Sequence, residues 1–191
     1  MKMPFPDNSF DRVYSIEATC HAPCLKGVYS EIFRVLKPGG TYATYEWLLA
    51  DDYDASNPHH KQISYDIEVG DGIPALVKTS VAVEAIKHVG FQIIHDEDLA
   101  EKNDEVPWYY PIAGELKYVR SLADLVKVGL MTRPARYISH RLLGVLEFLK
   151  LAPPDAMKTA DALGVAADAL VAGGREKLFT PMQLYVLRKP E

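Results

Sequence analysis

The stretch RVLKPGGTYATYEWLLADDYD, Arg34 to Asp54, sets the architecture of this chain. Pro38-Gly39-Gly40 stops whatever precedes it, and Thr41 to Trp47 has the β-branched and aromatic composition of a strand. Upstream, Leu25, Val28, Tyr29, Ile32, Phe33 and Leu36 recur at helical spacing and form one apolar face. Before that helix, Phe10 to Ile16 (FDRVYSI) follows the turn-forming PDNS and runs into the polar EATCHAP, as a strand feeding a loop does. The order is therefore strand, helix, strand.

Further along, Asn57-Pro58 marks a new start, His59 to Glu68 is predicted helical, and IEVGDGIPAL is predicted to be a Gly- and Pro-punctuated loop. Ser80 is expected to cap a helix whose Ala82, Ala85, Ile86 and Val89 face inward and which Gly90 closes in a left-handed conformation. Phe91 to His95 reads as a third strand. Strands alternating with helices predict an α/β fold built on a parallel, doubly wound sheet with helices on both faces. After LAEKNDEVPWYYPIAGE come three helical stretches expected to cap that sheet. Leu116 to Leu130 carries Val119, Leu122, Val126 and Gly129 on one side, Ala135 to Leu149 is apolar over a wide arc, and Asp155 caps a helix ending at Gly173-Gly174. Phe179 to Leu187 (FTPMQLYVL) alternates as a strand; with Pro181 near its start it is expected at an antiparallel edge.

A chain of 191 residues, 48% hydrophobic, can build one domain with at most an appended subdomain. The formal charge of −5, with Lys and Arg scattered, gives no electrostatic footprint for nucleic acid. Only Cys20 and Cys24 occur, flanking His21, and His59-His60 stands alone elsewhere. A zinc site needs about four ligands, so no metal is expected and both thiols are expected reduced. MKMPFPDNSF lacks the apolar run of a signal peptide, and no stretch approaches the ~18 apolar residues of a membrane span.

PFPDNSFDRVYSIEATCHAP, then EIFRVLKPGG, then TYATYEW resembles the second half of a class I S-adenosylmethionine-dependent methyltransferase. YSIEATCHAP, YEWLLADDYD, the segment around DIEVGDGIP, DEVPWYYPIAGE and the terminal GGREKLFTPMQLYVLRKPE narrow the resemblance to the sterol 24-C-methyltransferases and span nearly the whole chain. The resemblance implies strands four to seven of a Rossmann-like sheet: Phe10 to Ile16, Thr41 to Trp47, Phe91 to His95, and Phe179 to Leu187 as the antiparallel seventh. Residues 1–100 would form a partial Rossmann-like domain, and 101–191 the family's C-terminal region, adding helices and the last strand to the same fold. The family's first three strands, its Gly-rich cofactor loop and its ribose-binding acid have no counterpart here. MKMPF resembles an internal stretch, so Met1 is expected to be an internal methionine of a longer sequence. Strand four should then present a bare edge that invites self-association.

The implied activity is methyl transfer from S-adenosylmethionine to C24 of a Δ24 sterol in ergosterol-type biosynthesis, by electrophilic methylation of the side-chain double bond. The chain by itself is expected to be inactive. Such chemistry needs π faces and carboxylates against cationic charge, a base for the final proton, and dry walls. Glu17 lies just beyond a strand, at the sheet end where open α/β folds bind ligands. It is either a contact to the cofactor's methionine portion and the cationic centre, or a loop carboxylate bonding backbone amides. With Ser15, Ile16 and Ala18 it makes the cofactor-binding set. His21 is a candidate proton acceptor, and Glu68 or Asp71 could stabilise the cation or take the final proton.

Tyr45 and Trp47 share a face by alternation, opposite to Glu46, and form either an aromatic wall against the sterol or ordinary packing. Tyr65, Asp66, Trp108, Tyr109, Tyr110 and Glu115 complete the candidate substrate lining. The helix containing ARYISHRLLGVLEFLKL, with Arg133, Arg136 and Arg141, is either core or lies on the membrane that holds the substrate. A peripheral location at the cytoplasmic side of the endoplasmic reticulum or a lipid droplet is expected. Two other readings stay open: a non-catalytic sterol-binding fragment, and an interaction module pairing through its sheet edge.

Overall fold

The structure, a computed structural model, describes residues 2–102 and 105–191; Met1, Asn103 and Asp104, which belong to stretches quoted above, lie outside them. Strand β1 (Phe10–Ile16), helix α1 (Leu25–Val35) and strand β2 (Leu36–Leu49) follow one another, and β1 pairs parallel to β2. The helix ends at Val35 rather than at Pro38: Leu36 is already extended and fully buried. Lys37, which precedes a proline, is biased to the same conformation. Gly39 adopts a positive φ of 75°, and a Cβ on Gly40 would lie 2.8 Å from the Lys37 carbonyl oxygen, so both glycines serve a tight approach at the start of the strand.

Helix α2 (Pro58–Asp71) begins with Pro58 in its first turn and the Asn57 side chain accepting from the His59 N–H. It continues through Gly70 and stops at Gly72, which is left-handed. The predicted loop therefore begins only at Gly72. Helix α3 (Thr79–Val89) starts one residue before Ser80 with no side-chain cap, buries Ala82 and Ile86, and is closed by left-handed Gly90. Strand β3 (Gln92–Asp98), the short α4 (Tyr110–Ala113), α5 (Leu122–Met131), α6 (Arg133–Phe148), α7 (Ala156–Arg175) and strand β4 (Phe179–Arg188) complete the chain.

The sheet is mixed, in the order β1-β2-β4-β3. β4 is antiparallel to its neighbours, but it lies inside the sheet rather than at an edge. Six of its ten residues are buried and only Arg188 is exposed, whereas β3, QIIHDED, is polar and largely exposed. The more apolar strand takes the position covered on both faces. Pro181 is accommodated because Glu46 pairs with Gln183 and Leu48 with Thr180, an irregularity that skips Pro181 and asks no ladder hydrogen bond of it. Helices cover both faces: Tyr29, Ile32, Ile86 and Phe91 pack on one side with Tyr42 and Leu187, and Ile63, Ile67 and Leu170 pack on the other with Phe179. The edge strand β1 leaves Tyr14 and Ile16 exposed.

The C-terminal helices depart most from expectation. α5 buries Val128, while Leu122 is 83% and Val126 63% exposed; among the described residues α6 buries none. The Arg-bearing helix is therefore not core. Asp155 does not cap α7, because its own φ is +64°. The Glu147 carboxylate does so from α6, accepting from the N–H groups of Asp155 (3.0 Å) and Met157 (2.9 Å). α7 also runs past Gly173-Gly174 to Arg175.

Gly70 is helical for a tertiary reason, since a Cβ there would lie 2.1 Å from the Cβ of Ala166 on α7. Gly to Ala inside a helix gains up to about 1 kcal/mol, but overpacking a rigid contact costs about 1–3 kcal/mol, and Ala166 has no rotamer with which to yield. Gly70→Ala is expected to destabilise the fold in urea denaturation, and to become neutral or stabilising in an Ala166→Gly background.

Candidate functional site

At the end of β1 the Glu17 N–H donates to the Tyr45 carbonyl (3.1 Å), and the backbone then leaves the sheet with Glu17 at φ +51°. A non-glycine residue held left-handed needs its neighbourhood to over-determine it. Here Ala18 leads into a single 3₁₀ turn, Thr19–His21, with the Cys20 thiol on the Glu17 carbonyl (3.5 Å) and Thr19 Oγ donating to the Glu46 carboxylate. The Glu17 side chain is thereby exposed at the carboxyl end of the sheet. Ser15 turns the other way, its Oγ 2.6 Å from Tyr42 Oη and 2.7 Å from Thr44 Oγ1, so only its backbone is offered outward.

His21 rests on the end of α2, its Nδ1 donating to the Gly72 carbonyl (3.3 Å). That leaves Nε2 with the lone pair, the tautomer a base requires. Asp71 stands beside it; burial raises its carboxyl above the ordinary aspartate range against the pull of His21, and one buried oxygen has no partner among the described residues. Glu68 is differently committed, accepting from the Leu76 N–H (2.8 Å) and Ser64 Oγ (3.1 Å), so it holds the loop after α2. Of the acids considered for the final proton, Asp71 stands with His21, whereas Glu68 uses one oxygen, Oε1, to hold the loop.

Tyr45 and Trp47 are half-buried and alternate with buried Glu46. Trp47 meets Phe179 edge-on with centroids 5.4 Å apart, and Phe179 meets Trp108 at 6.0 Å, so the two tryptophans converge across one phenylalanine. Trp108 and Tyr109 lie against α7 where Gly174 has no side chain: a Cβ there would be 2.4 Å from the Tyr109 ring. Tyr110 donates to Asp124 (3.0 Å), and Glu115 is gripped by Arg175 (2.6 Å) and Lys117 (3.4 Å), with Arg175 foremost in holding its carboxyl below the usual range. Tyr65 is largely exposed on α2, and Asp66 accepts from Gln62 of its own helix (2.8 Å). The structure therefore brings Glu17, His21 and Asp71 to one place and Trp47 to Trp108, and ties Tyr110 and Glu115 into the helical cap.

Glu46 was considered above only for the face it does not share. It is fully buried and accepts from Tyr29 Oη (2.9 Å) and Thr44 Oγ1 (3.0 Å) as well as from Thr19. Burial pushes its carboxyl above the usual range, and the three hydroxyls oppose that push. The signal was present in the alternation of Tyr42, Thr44, Glu46 and Leu48, which places an acid on an otherwise inward face. Among the described residues no group of three or more His, Cys, Asp or Glu could hold a metal ion, and no glycine lies between the end of a strand and the start of the next helix.

A sequence profile described as the sterol methyltransferase C-terminal region matches residues 126–191, and a general methyltransferase-domain profile matches residues 1–44. The sterol 24-C-methyltransferase of Yarrowia lipolytica is 59% identical over 191 residues, covering 100% of this chain and 50% of that protein. The chain belongs to the sterol 24-C-methyltransferase family. The Saccharomyces cerevisiae family member is 54% identical with the same coverage. The chain spans about half the length of the curated relatives it matches. Among solved structures, a geranyl diphosphate methyltransferase in complex with SAM superposes with a TM-score of 0.60 at 13% identity, over 98% of this chain and 54% of that one. The Haemonchus contortus phosphoethanolamine N-methyltransferase 2 in complex with S-adenosyl-L-methionine gives 0.59 at 16%, over 98% and 35%. These likenesses show the fold: the C-terminal half of a class I methyltransferase.

Because its folded pKa is raised, Glu46 contributes stability that is fully present below the unfolded value near 4.5 and lost as pH rises through the folded value. Its buried neighbours do not titrate in that window, since burial raises the Cys20 thiol and the phenols of Tyr29, Tyr42 and Tyr185. In urea denaturation from pH 4 to 8, the stability of Glu46→Gln relative to the unsubstituted chain is expected to grow as pH rises. A difference independent of pH would show that the Glu46 carboxyl binds its proton no more tightly folded than unfolded.

Proposed function

We propose that this chain is the substrate-side half of an enzyme that transfers the methyl group of S-adenosylmethionine to C24 of a Δ24 sterol, in ergosterol-type biosynthesis. Supporting this reading is one short loop at the carboxyl end of β1 that turns the Glu17 carboxylate outward and presents His21 with Nε2 free. When bound, S-adenosylmethionine would supply an electrophilic methyl group, the S–CH₃ bond breaking to leave the neutral thioether S-adenosylhomocysteine. The exposed backbone from Ser15 to Ala18 and the Glu17 carboxylate suit its cationic methionine portion; the chain offers no Gly-rich loop for the rest of it. As the side-chain double bond forms its new C–C bond, positive charge develops on the neighbouring carbon. Glu17 and the π faces of Tyr45 and Trp47 lower the energy of that charge. His21 Nε2 takes the proton whose loss restores a double bond, and Asp71 beside it stabilises the imidazolium formed.

A chimera joining the N-terminal half of the Yarrowia lipolytica relative to this chain tests the reading. It is expected to methylate a Δ24 sterol at C24. Glu17→Gln and His21→Ala are each expected to lower kcat/KM by ~10²-fold or more. A folded chimera that binds S-adenosylmethionine and leaves every sterol unmethylated would overturn the assignment.

We further propose that α5 and α6 lie on an anionic lipid surface, at the endoplasmic reticulum or a lipid droplet. No helix among the described residues is long and apolar enough to cross a membrane. Leu122, Leu130, Phe148 and Leu151 are nonetheless more than half exposed. Residues 116–151 hold seven Lys and Arg against two Asp and Glu, in a chain whose net charge is −5. Apolar residues set among positive charge suit acidic headgroups, each base near the surface contributing about 1 kcal/mol. In vesicle flotation the chain is expected to bind phosphatidylcholine containing phosphatidylserine, less so in high salt, and Leu122→Glu/Phe148→Glu to abolish binding. A chain that stays in solution with these vesicles, or that buries the two helices in a dimer, would refute this.

A further inference from the structure

We propose that Glu46 is the positioning residue for the loop that carries Glu17 and His21, holding it to the sheet through Thr19. That the loop is the reacting site rests on the function proposed above; the tether does not. Few bonds fix this loop. Its backbone hydrogen bonds from His21 to Ala18 and from Ala22 to Thr19 are internal, and Glu17 to Tyr45 joins it to β2 only at its first residue. The 3₁₀ turn has no side-chain cap. What holds the turn down is Thr19 Oγ on Glu46, with His21 on Gly72 at the far end.

Glu46 suits this role because a carboxylate has two oxygens and no hydrogen. One oxygen receives Tyr29 from α1 and Thr44 from its own strand; the other receives Thr19 alone. The chain of hydroxyls continues from Thr44 to Ser15 and on to Tyr42, so the same network reaches β1 directly below Glu17. Thr19, Glu46 and Thr44 are buried, and Cys20 is packed behind the turn, so water does not replace a lost partner there without opening the loop. A glutamine offers one oxygen and one NH₂; it can satisfy Tyr29 and Thr44 or Thr19, but not all three as donors. With that oxygen kept on Tyr29 and Thr44, the bond in which Thr19 donates to a charged carboxylate is the one lost, and a weaker amide-to-hydroxyl contact takes its place.

Hydrogen exchange on the chain tests the tether. Amides of residues 17–22 are expected to exchange at least ~10-fold faster in Glu46→Gln and in Thr19→Val, with β2 and β4 amides unchanged. The double variant should be no faster than either single, and Thr19→Ser should restore the unsubstituted rate. Imidazole ¹⁵N shifts of His21 should move toward a mixture of tautomers in both single variants, which a purely structural loss elsewhere would not produce. Should Glu46→Gln fail to fold, Thr19→Val cuts the same arm from the other side. Unchanged exchange at residues 17–22 in Thr19→Val, or additive effects in the double variant, would overturn the proposal. In the chimera, a loosened loop with unaltered methyl transfer would support the tether and count against the loop as the reacting site, so the two failures are separable.

Discussion

Strand β4 is hydrogen-bonded along both edges, antiparallel to β2 on one side and to β3 on the other. It follows α7 in sequence, so its pairing with β2 joins residues far apart in the chain. The cluster of large aromatic side chains is bounded by that strand. Phe179, at its start, separates and supports Trp47 and Trp108, and Gln183 lies opposite Glu46 in the ladder. The irregularity that admits Pro181 falls beside Trp47, so the pairing that accommodates a proline also sets where the aromatic wall stands. Non-local pairing of this kind is slow to form, and here it is what assembles the wall.

Against this framework the buried acid is a cost. Moving an ionised carboxylate out of water costs several kcal/mol, and each hydrogen bond to it returns about 1.5–3 kcal/mol. Three hydroxyls on Glu46 offset the larger part without removing it, in keeping with a carboxyl whose affinity for a proton is raised. A leucine of similar volume would avoid that desolvation but leave the buried Tyr29 hydroxyl without its acceptor, at about 1–3 kcal/mol. It would also leave Thr19 with a buried hydroxyl and no acceptor, and the 3₁₀ turn with nothing beneath it. The acid at position 46 therefore serves both the buried hydroxyls of the core and the conformation of the loop above it.

Much of the framework was legible from local pattern. The apolar stripe of α1, the left-handed stop at Gly90 and the strand Phe10 to Ile16 each follow from periodicity or one special residue, which short-range physics settles. What was not legible depends on partners distant in sequence. Gly70 reads as a breaker until Ala166 is seen pressing on it, and Asp155 reads as a cap until Glu147 is seen taking its place. Alternation shows that Phe179 to Leu187 is a strand but carries no information on strand order, which is why an interior strand with a proline looked like an edge. The site divides in the same way. The outward placement of Glu17 follows from the strand's end, while the bond from Leu76 to Glu68 and the hub at Glu46 depend on contacts no local window contains.

A net charge of −5 conceals a separation: residues 116–151 are basic in excess, and the sheet-forming remainder is acidic. Averaging over the chain erased the one electrostatic feature that discriminates among partners. The basic helices are also joined to the aromatic wall. Trp108 and Tyr109 lead directly into α4, whose Tyr110 donates to Asp124 on α5, and Glu115 binds Arg175 on α7 just beyond the glycine that receives Tyr109. A lipid surface that fixed α5 and α6 would therefore fix the wall with them, through two side-chain bonds rather than through a flexible linker. On the function proposed above, the side offered to an apolar substrate would then be held at the side offered to the phase in which such a substrate dissolves.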